Sequence, residues 1–267
     1  MSAVDKNPKI FGMSYNSARD ELFLADESNG VVRAICVRDA GDLRDVYRAP
    51  HDTDPHIWSV CHMSDSDTLL VCSEERGVRW LVALSRNGIK WREAQRVQTD
   101  ERGHISCALS DSRVLIGEWN SKRMELFHVE SGPSIARVHL IDVPVEYSYF
   151  SATCDSDTLV AMTYRSPDNS VRVHRLLDDR LEEIARIELK EPSSLFWLAD
   201  RLLVADYDRE NESHAILELK VSDMRLGRYL QLIATSEKID VRSLCAVNDE
   251  LVIFNYNTRD ILQYSFV

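Results

Sequence analysis

The hydrophobic positions of this chain recur in one short segment, in which a turn residue leads into an apolar run that ends on a polar residue. The segment occurs six times, and its copies align without a gap. The copies are residues 20–26 (DELFLAD), 67–73 (DTLLVCS), 112–118 (SRVLIGE), 157–163 (DTLVAMT), 200–206 (DRLLVAD) and 249–255 (DELVIFN). Their first positions are separated by 47, 45, 45, 43 and 49 residues, and this regular period indicates a repeat architecture.

Shorter apolar segments surround each copy. One precedes it, as at residues 57–60, an alternating one follows, as at 171–174, and most units end with a fourth, as at 184–189. Residues 178–183 could begin a helix, but we expect a turn and a strand there. Four antiparallel strands, here called a to d, make one propeller blade, so the chain is predicted to be an all-β, six-bladed β-propeller.

We expect one propeller domain over residues 1–267. The predicted blades are approximately residues 9–50, 54–101, 102–145, 146–192, 193–238 and 239–267. Because the sixth unit stops after its third strand, residues 2–5 are predicted to supply the missing strand, close the ring and remove an exposed sheet edge.

Residues 20–37 (DELFLADESNGVVRAICV) resemble the repeat unit of the NHL and YWTD propellers, in which a strand ends in Ala-Asp or Thr-Asp and then turns into an apolar strand. The Ala-Asp pair recurs at residues 205–206. This resemblance also implies six blades. WD40 propellers are less similar because the chain has no Trp-Asp pair, and the absence of paired glycines argues against kelch propellers.

Charge narrows the set of partners. The chain has 44 acidic and 32 basic side chains and a formal charge of -12, which repels phosphate backbones and anionic lipid. We therefore expect no nucleic-acid or membrane partner. No apolar run approaches the ~20 residues that cross a bilayer, and the first residues lack the order of a signal peptide, so a cytoplasmic location is predicted.

The cysteines show no C-x-x-C spacing and no regular association with histidine, so neither a zinc site nor a redox motif is predicted. We expect buried, reduced thiols, with a bridge between two cysteines on neighbouring strands, Cys61 and Cys72, left open for an oxidising compartment. The six are Cys36, Cys61, Cys72, Cys107, Cys154 and Cys245.

A polar residue ends every strand b, and the set could be interpreted as a ring of ligands. The residues are Asp26, Ser73, Glu118, Thr163, Asp206 and Asn255. We favour a structural role, in which each side chain accepts hydrogen bonds from backbone N–H groups of a loop or a neighbouring blade.

Aromatic and arginine side chains in the loops after strand b are the candidate binding residues, since interfaces favour both types. They are Trp119, Tyr164, Tyr207, Tyr256, Arg123, Arg165, Arg209 and Arg259. The alternative is that the aromatics pack between blades and the arginines are solvated or paired. Residues near the starts of the inner strands complete the predicted binding set, namely His56, Trp58, His104, Tyr149, Phe196 and Arg242.

The function predicted from these residues is a non-enzymatic scaffold that binds a protein or peptide through one loop face, with no cofactor, no metal and no catalytic residue. The resemblance to six-bladed propellers also implies an alternative, a calcium-dependent hydrolase or lactonase. Calcium requires several carboxylate or carbonyl oxygens, and the predicted inner strands contain no carboxylate. The oligomeric state and the identity of the partner stay open.

Deletion of residues 1–7 is expected to lower the melting temperature, because it removes the strand predicted to close the ring. A thermal melt of the truncated and full-length chains measures the effect. An unchanged melting temperature would reject this mode of closure.

Overall fold

The structure is a computed structural model. It describes the chain except for residues 1–7, 39–42, 51–53, 65, 111, 120, 131–133, 144–147, 155–157, 167, 199–200, 211–212, 223–224, 236–240, 249 and 266–267. Within the strands, the side chains of residues 105, 110, 148–151, 165–166, 213–214, 222, 225–235, 242 and 265 are also outside the description. The closing strand predicted at residues 2–5 lies outside the described residues.

Twenty-three strands form six antiparallel sheets in the described part of the chain. The first three sheets are β1 (Ile10–Asn16), β2 (Glu21–Asp26), β3 (Val31–Cys36), β4 (Arg44–Arg48); β5 (His56–Met63), β6 (Thr68–Glu75), β7 (Val78–Asn87), β8 (Lys90–Gln98); and β9 (Ile105–Ser110), β10 (Arg113–Gly117), β11 (Arg123–Val129), β12 (Ile135–Asp142). The others are β13 (Ser148–Cys154), β14 (Leu159–Ser166), β15 (Ser170–Leu176), β16 (Leu181–Glu188); β17 (Pro192–Leu198), β18 (Arg201–Asp208), β19 (Ser213–Ser222), β20 (Arg225–Thr235); and β21 (Val241–Val247), β22 (Glu250–Asn255), β23 (Asp260–Ser265).

The sheets are arranged as the blades of a ring. The first strands of successive sheets, β1, β5, β9, β13, β17 and β21, are neighbours in turn, and β21 contacts β1 to complete the circle. Each sheet follows chain order from its inner to its outer strand. The prediction of an all-β, six-bladed propeller is therefore confirmed, and the segment that could have begun a helix is a turn followed by β16. A single turn of 3-10 helix, Glu27–Asn29, follows β2.

The position of the second strand within each blade explains why its sequence is a continuous apolar run. In β6, Leu69 and Val71 pack between the first and second blades, while Leu70 and Cys72 pack between the second and third. Because both faces of the strand are buried, neither can be polar. The described residues form six apolar clusters in this way, one at each interface between neighbouring blades.

The interface between the last and first blades closes the ring through side chains. Its cluster includes Ile10 and Leu24 from the first blade and Val252 and Phe254 from the sixth. The Tyr15 hydroxyl group lies 3.0 Å from Asn248 Oδ1 across the same interface. The ring is thus joined by a packed core.

No helix among the described residues is long and apolar enough to span a membrane.

Phe254→Ala is expected to lower the free energy of unfolding by about 3–5 kcal/mol, because it leaves a cavity where a buried ring packed. Ile261 of the same sheet is 43% exposed, so Ile261→Ala should change stability by about 0.5 kcal/mol or less. Urea denaturation of both variants measures the difference. Equal losses would contradict a contribution of this core to ring closure.

Candidate functional site

The inner strands surround a cavity of about 370 Å³ on the axis of the propeller. Its walls are formed by serine, cysteine, histidine, aromatic and small apolar side chains. Among the described residues, no aspartate, glutamate, lysine or arginine lines this space. A concave, mostly uncharged pocket with a few polar groups is typical of a small-molecule site.

The aromatic side chains at one end of the cavity form a connected group, which we call the mouth cluster: Phe11, Trp58, His104, Trp119 and Tyr256. The His104 imidazole stacks on Trp119, with 4.5 Å between ring centroids, and meets the edge of Trp58 at 4.3 Å. The Phe11 centroid lies 6.0, 5.7 and 6.1 Å from those of Trp58, Trp119 and Tyr256. Members from four blades are thereby brought together.

Irregularities at the starts of the inner strands position this cluster. The register of β1, β5 and β21 is interrupted at Phe11, Trp58 and Arg242, respectively. His104 holds the corresponding position directly before β9. A β-bulge leaves one residue outside the ladder and changes the direction of its side chain. The repeated irregularity is the local feature that brings Phe11, Trp58 and His104 into the mouth cluster.

Gly103 is required for the placement of His104. Its φ is +68°, in the left-handed region, and an added Cβ would lie 2.5 Å from Cys72 Cβ. The Gly103 carbonyl group also accepts a hydrogen bond of 2.7 Å from Ser59 Oγ. The backbone before His104 is consequently held against the second blade.

Burial keeps the His104 imidazole neutral. Desolvation, followed by the charges of Arg102 and Arg79, lowers the pKa of His104 to about 4. Its Nδ1 atom is buried and has no hydrogen-bond partner among the described residues, as is also true of Ser106 Oγ and Trp58 Nε1. Both His104 and Ser106 line the cavity. A ligand group that hydrogen-bonds to such atoms offsets the cost of their desolvation.

Most other described hydroxyl groups of the inner strands form hydrogen bonds with neighbouring strands. Ser14 Oγ accepts a hydrogen bond from the His62 backbone N–H group at 2.9 Å. Thr153 Oγ1 accepts from the Trp197 N–H group at 3.3 Å, and Ser194 Oγ donates to the Val241 carbonyl group. These hydroxyl groups join one inner strand to the next. Ser106 is distinguished by having no such partner in the described structure.

The structure does not gather the predicted loop aromatics into one surface. Trp119 and Tyr256 join the mouth cluster, whereas Tyr164 is fully buried, with its hydroxyl group 3.0 Å from His174 Nε2. Tyr207, at the end of β18, is half-buried. Tyr164 therefore has a packing role between strands. The equivalent aromatic residues have different roles in different blades.

The predicted arginines are also dispersed. Arg123 is exposed and lies 3.6 Å from Asp142, Arg209 forms a hydrogen bond of 3.0 Å with Glu191, and the Arg259 guanidinium lies 3.8 Å from the centre of the Tyr256 ring. Of these arginines, Arg259 is the one with a recorded contact to the mouth cluster, through Tyr256.

The residues predicted near the inner strands lie closer together. His56 stacks on Trp58, with centroids 5.3 Å apart, and its Nδ1 lies 2.6 Å from Glu27 Oε1. Phe196 lines the cavity. The side chains of Tyr149, Arg165 and Arg242 are outside the described residues, and their backbones belong to β13, β14 and β21. Sequence reasoning missed Phe11 and Ser106, which look like ordinary strand residues until the bulge and the hydrogen-bond partners are known.

The carboxylates that end strand b do not fit a calcium site. Asp26 accepts hydrogen bonds from the Lys9 backbone and from Asn29 and is 3.3 Å from Arg33. Asp206 accepts two backbone hydrogen bonds from the preceding loop, and Glu118 pairs with arginines. No group of three or more metal-ligating side chains occurs among the described residues. These acids stabilise loops, and we derive no calcium chemistry from them.

No protein-family model and no curated protein matches the sequence. A solved structure assigned as a 6-phosphogluconolactonase from Bacteroides uniformis has a TM-score of 0.69 and 13% identity, and the match covers 100% of this chain and 83% of that chain. Streptogramin B lyase gives 0.62 and 15%, covering 100% and 85%. A structure of the mitotic checkpoint complex gives 0.61 and 9%, covering 98% and 88%. At these identities the likeness shows the fold, and the NHL or YWTD resemblance stays a prediction.

These comparisons correct the predicted function. The chain matches a lactonase-like protein and a lyase over its whole length, so the prediction of a non-enzymatic interaction scaffold is wrong and the enzymatic alternative has the better support. The physical reason is that the aromatic residues do not form one exposed face: Tyr164 is buried, Trp119 lines the cavity, and Tyr256 packs against Phe11. Protein assemblies also contain propellers of this shape.

Micromolar calcium is expected to leave the melting temperature unchanged, because the cavity offers no carboxylate ligands among its described residues. A calcium titration followed by thermal shift, with a chelator-treated sample as the reference, measures this. Binding to the folded chain alone would raise the melting temperature with ligand concentration. Such a rise would contradict the assignment of the strand-end acids to the loops.

Proposed function

We propose that this chain is a metal-independent hydrolase that opens an uncharged ring ester of the lactone type at the mouth of the propeller cavity. The observation that carries the proposal is that the cavity lining contains both a neutral, half-buried imidazole, His104, and a hydroxyl group with no hydrogen-bond partner in the described structure, Ser106. The proposed binding set comprises the mouth cluster together with His56 and Phe196.

The rings of the mouth cluster favour a flat or apolar substrate. Trp119 and Phe11 line the cavity, and Trp58 packs behind them against His104. Aromatic side chains supply large apolar contact areas with defined stacking geometry. Because charged side chains are missing from the described lining, a carboxylate or phosphate on the substrate would lose its water without gaining an ionic partner.

The two polar side chains have complementary roles in the proposed reaction. A water molecule attacks the carbonyl carbon of the ester, and the unprotonated nitrogen of His104 accepts its proton. Ser106 donates a hydrogen bond to the carbonyl oxygen, where negative charge develops. The ring C–O bond then breaks, and the proton passes from His104 to the released alkoxide. The overall change is the addition of one water to the ester, giving a hydroxy acid.

Burial gives His104 a specific pH range as a proton acceptor. Its pKa of about 4 keeps the imidazole unprotonated at neutral pH, so no fraction of the enzyme is lost to prior protonation. The imidazolium formed during the reaction would be costly in an apolar site. The negative charge that develops on the substrate beside it supplies the stabilisation.

The comparisons support an enzyme of this type. A lactonase-like protein and a lyase share the fold over the full chain, and neither likeness assigns a substrate to this protein. We also propose a reducing, cytoplasmic location, which the cysteine spacing in the sequence supports.

His104→Gln is expected to lower kcat/KM by roughly 10²–10⁴-fold on a panel of uncharged aryl-substituted lactones, because glutamine cannot accept the proton. For the unaltered enzyme, kcat/KM should fall below about pH 4, where His104 becomes protonated, and stay level above it. A chelator should leave both values unchanged. Release of acid in a weakly buffered assay measures ring opening.

His139→Gln is the matched control, since His139 is an exposed histidine on β12. It should retain full activity. The proposal is overturned if no lactone in the panel is opened, if His104→Gln retains activity while folded, or if carboxylate-bearing lactones are preferred.

A further inference from the structure

Cysteines occupy one position of the inner strand in four of the six blades. Each pairs in register with the fourth residue of the repeated strand b segment: Cys61 with Leu70, Cys107 with Leu115, Cys154 with Val160 and Cys245 with Val252. All four line the axial cavity. They therefore lie at one level of the channel. Cys61, Cys107 and Cys154 are on the neighbouring strands β5, β9 and β13, whereas Cys245 is on β21, between β17 and β1.

Two of these thiols are in direct contact. The Sγ atoms of Cys107 and Cys154 are 2.9 Å apart, on the adjacent strands β9 and β13 of the third and fourth blades. Small side-chain rotations would bring the sulfur atoms to the bonded separation of about 2.05 Å. The pair is separated by 47 positions in the sequence, which is why spacing alone gave no redox motif.

Burial favours the protonated form of the other two cavity thiols, Cys61 and Cys245. Burial raises the pKa of Cys61 to about 12 and that of Cys245 to about 12. The thiolate is the nucleophile in oxidation and exchange, so these cysteines are protected at neutral pH. Cys154 is half-buried, whereas Cys61 and Cys107 are buried. Cys61 and Cys72, considered above as a pair, are free, and Cys72 pairs in register with Ser59.

We infer that Cys107 and Cys154 form a redox-active dithiol that a hydroperoxide converts to a disulfide across the third and fourth blades. The Cys154 thiolate, which is the more exposed, attacks one peroxide oxygen, breaks the O–O bond and becomes a sulfenic acid, while the other oxygen leaves as water or an alcohol. The Cys107 thiol then attacks that sulfur, forms the S–S bond and releases water. Two thiols lose two hydrogens, and the peroxide is reduced.

This site differs from the proposed catalytic pair but opens into the same cavity. The disulfide would join β9 to β13 beside the channel wall, while His104 lies directly before β9. A cross-link between blades constrains the unfolded chain, so the oxidised protein should be the more stable form. A thiol reductant would reverse the change by thiol–disulfide exchange.

The test treats the full chain with hydrogen peroxide, blocks remaining thiols by alkylation and maps peptides by mass spectrometry without reduction. We expect one cross-linked pair of peptides, containing Cys107 and Cys154, with a mass lower by two hydrogen atoms. The melting temperature should rise by several degrees on oxidation and return after dithiothreitol. Neither readout depends on hydrolase activity, so failure of the proposed reaction leaves this test intact.

Cys154→Ser should abolish both the cross-link and the rise in melting temperature, and Cys36→Ser, which alters a half-buried thiol on β3, should leave both unchanged. Cys154→Ala provides a second variant if the serine variant does not fold. The inference is overturned by a cross-link from Cys107 to Cys61, by sulfinic acid without a cross-link, or by a full complement of alkylated thiols after peroxide treatment.

Discussion

The burial of strand b on both faces is the constraint on which the rest of the propeller depends. Successive side chains of a strand point to opposite faces, so Phe23 and Leu24 enter different interfaces between blades. Every such strand must then be apolar at every interior position, and each blade is stabilised by both of its neighbours. The ring needs no continuous central core, which leaves the axis open and allows the inner strands to form the walls of a cavity.

Because the axis is open, the inner and outer strands of each blade have different surroundings and different roles. Outer strands such as β12 and β16 are largely exposed and bear ion pairs, for example Arg186 with Glu188. Inner strands are joined by hydrogen bonds in which small hydroxyl groups donate or accept, while bulges at their starts direct larger side chains to one end of the channel. Packing is therefore repeated in each blade, and the differences among bulge residues give the site its chemistry.

The sequence predicted the architecture well because its main signal, the doubly buried strand, follows directly from hydrophobicity. The aromatic residues in the loops gave no comparable indication of where their side chains lie. Tyr164 and Tyr256 occupy equivalent positions in the repeat, yet Tyr164 is buried against His174 of its own blade, while Tyr256 packs on Phe11 of the neighbouring blade, and the repeat pattern does not reveal these contacts. Phe11 was missed for the same reason. The four cavity cysteines could have been recognised by aligning each strand a with its strand b, since all four pair with the fourth residue of the repeated segment.

The distribution of charge supports the proposed preference for an uncharged substrate. The chain has a net charge of -12, while the described residues that line the cavity carry no formal charge apart from what histidine can acquire. Long-range repulsion from an acidic exterior disfavours the approach of anions, and a neutral interior gives them no compensating contact. An uncharged molecule experiences neither effect. Inside, weak solvent screening also strengthens the hydrogen bonds offered by the few available polar groups, so the proposed reaction can depend on a single imidazole and one hydroxyl group.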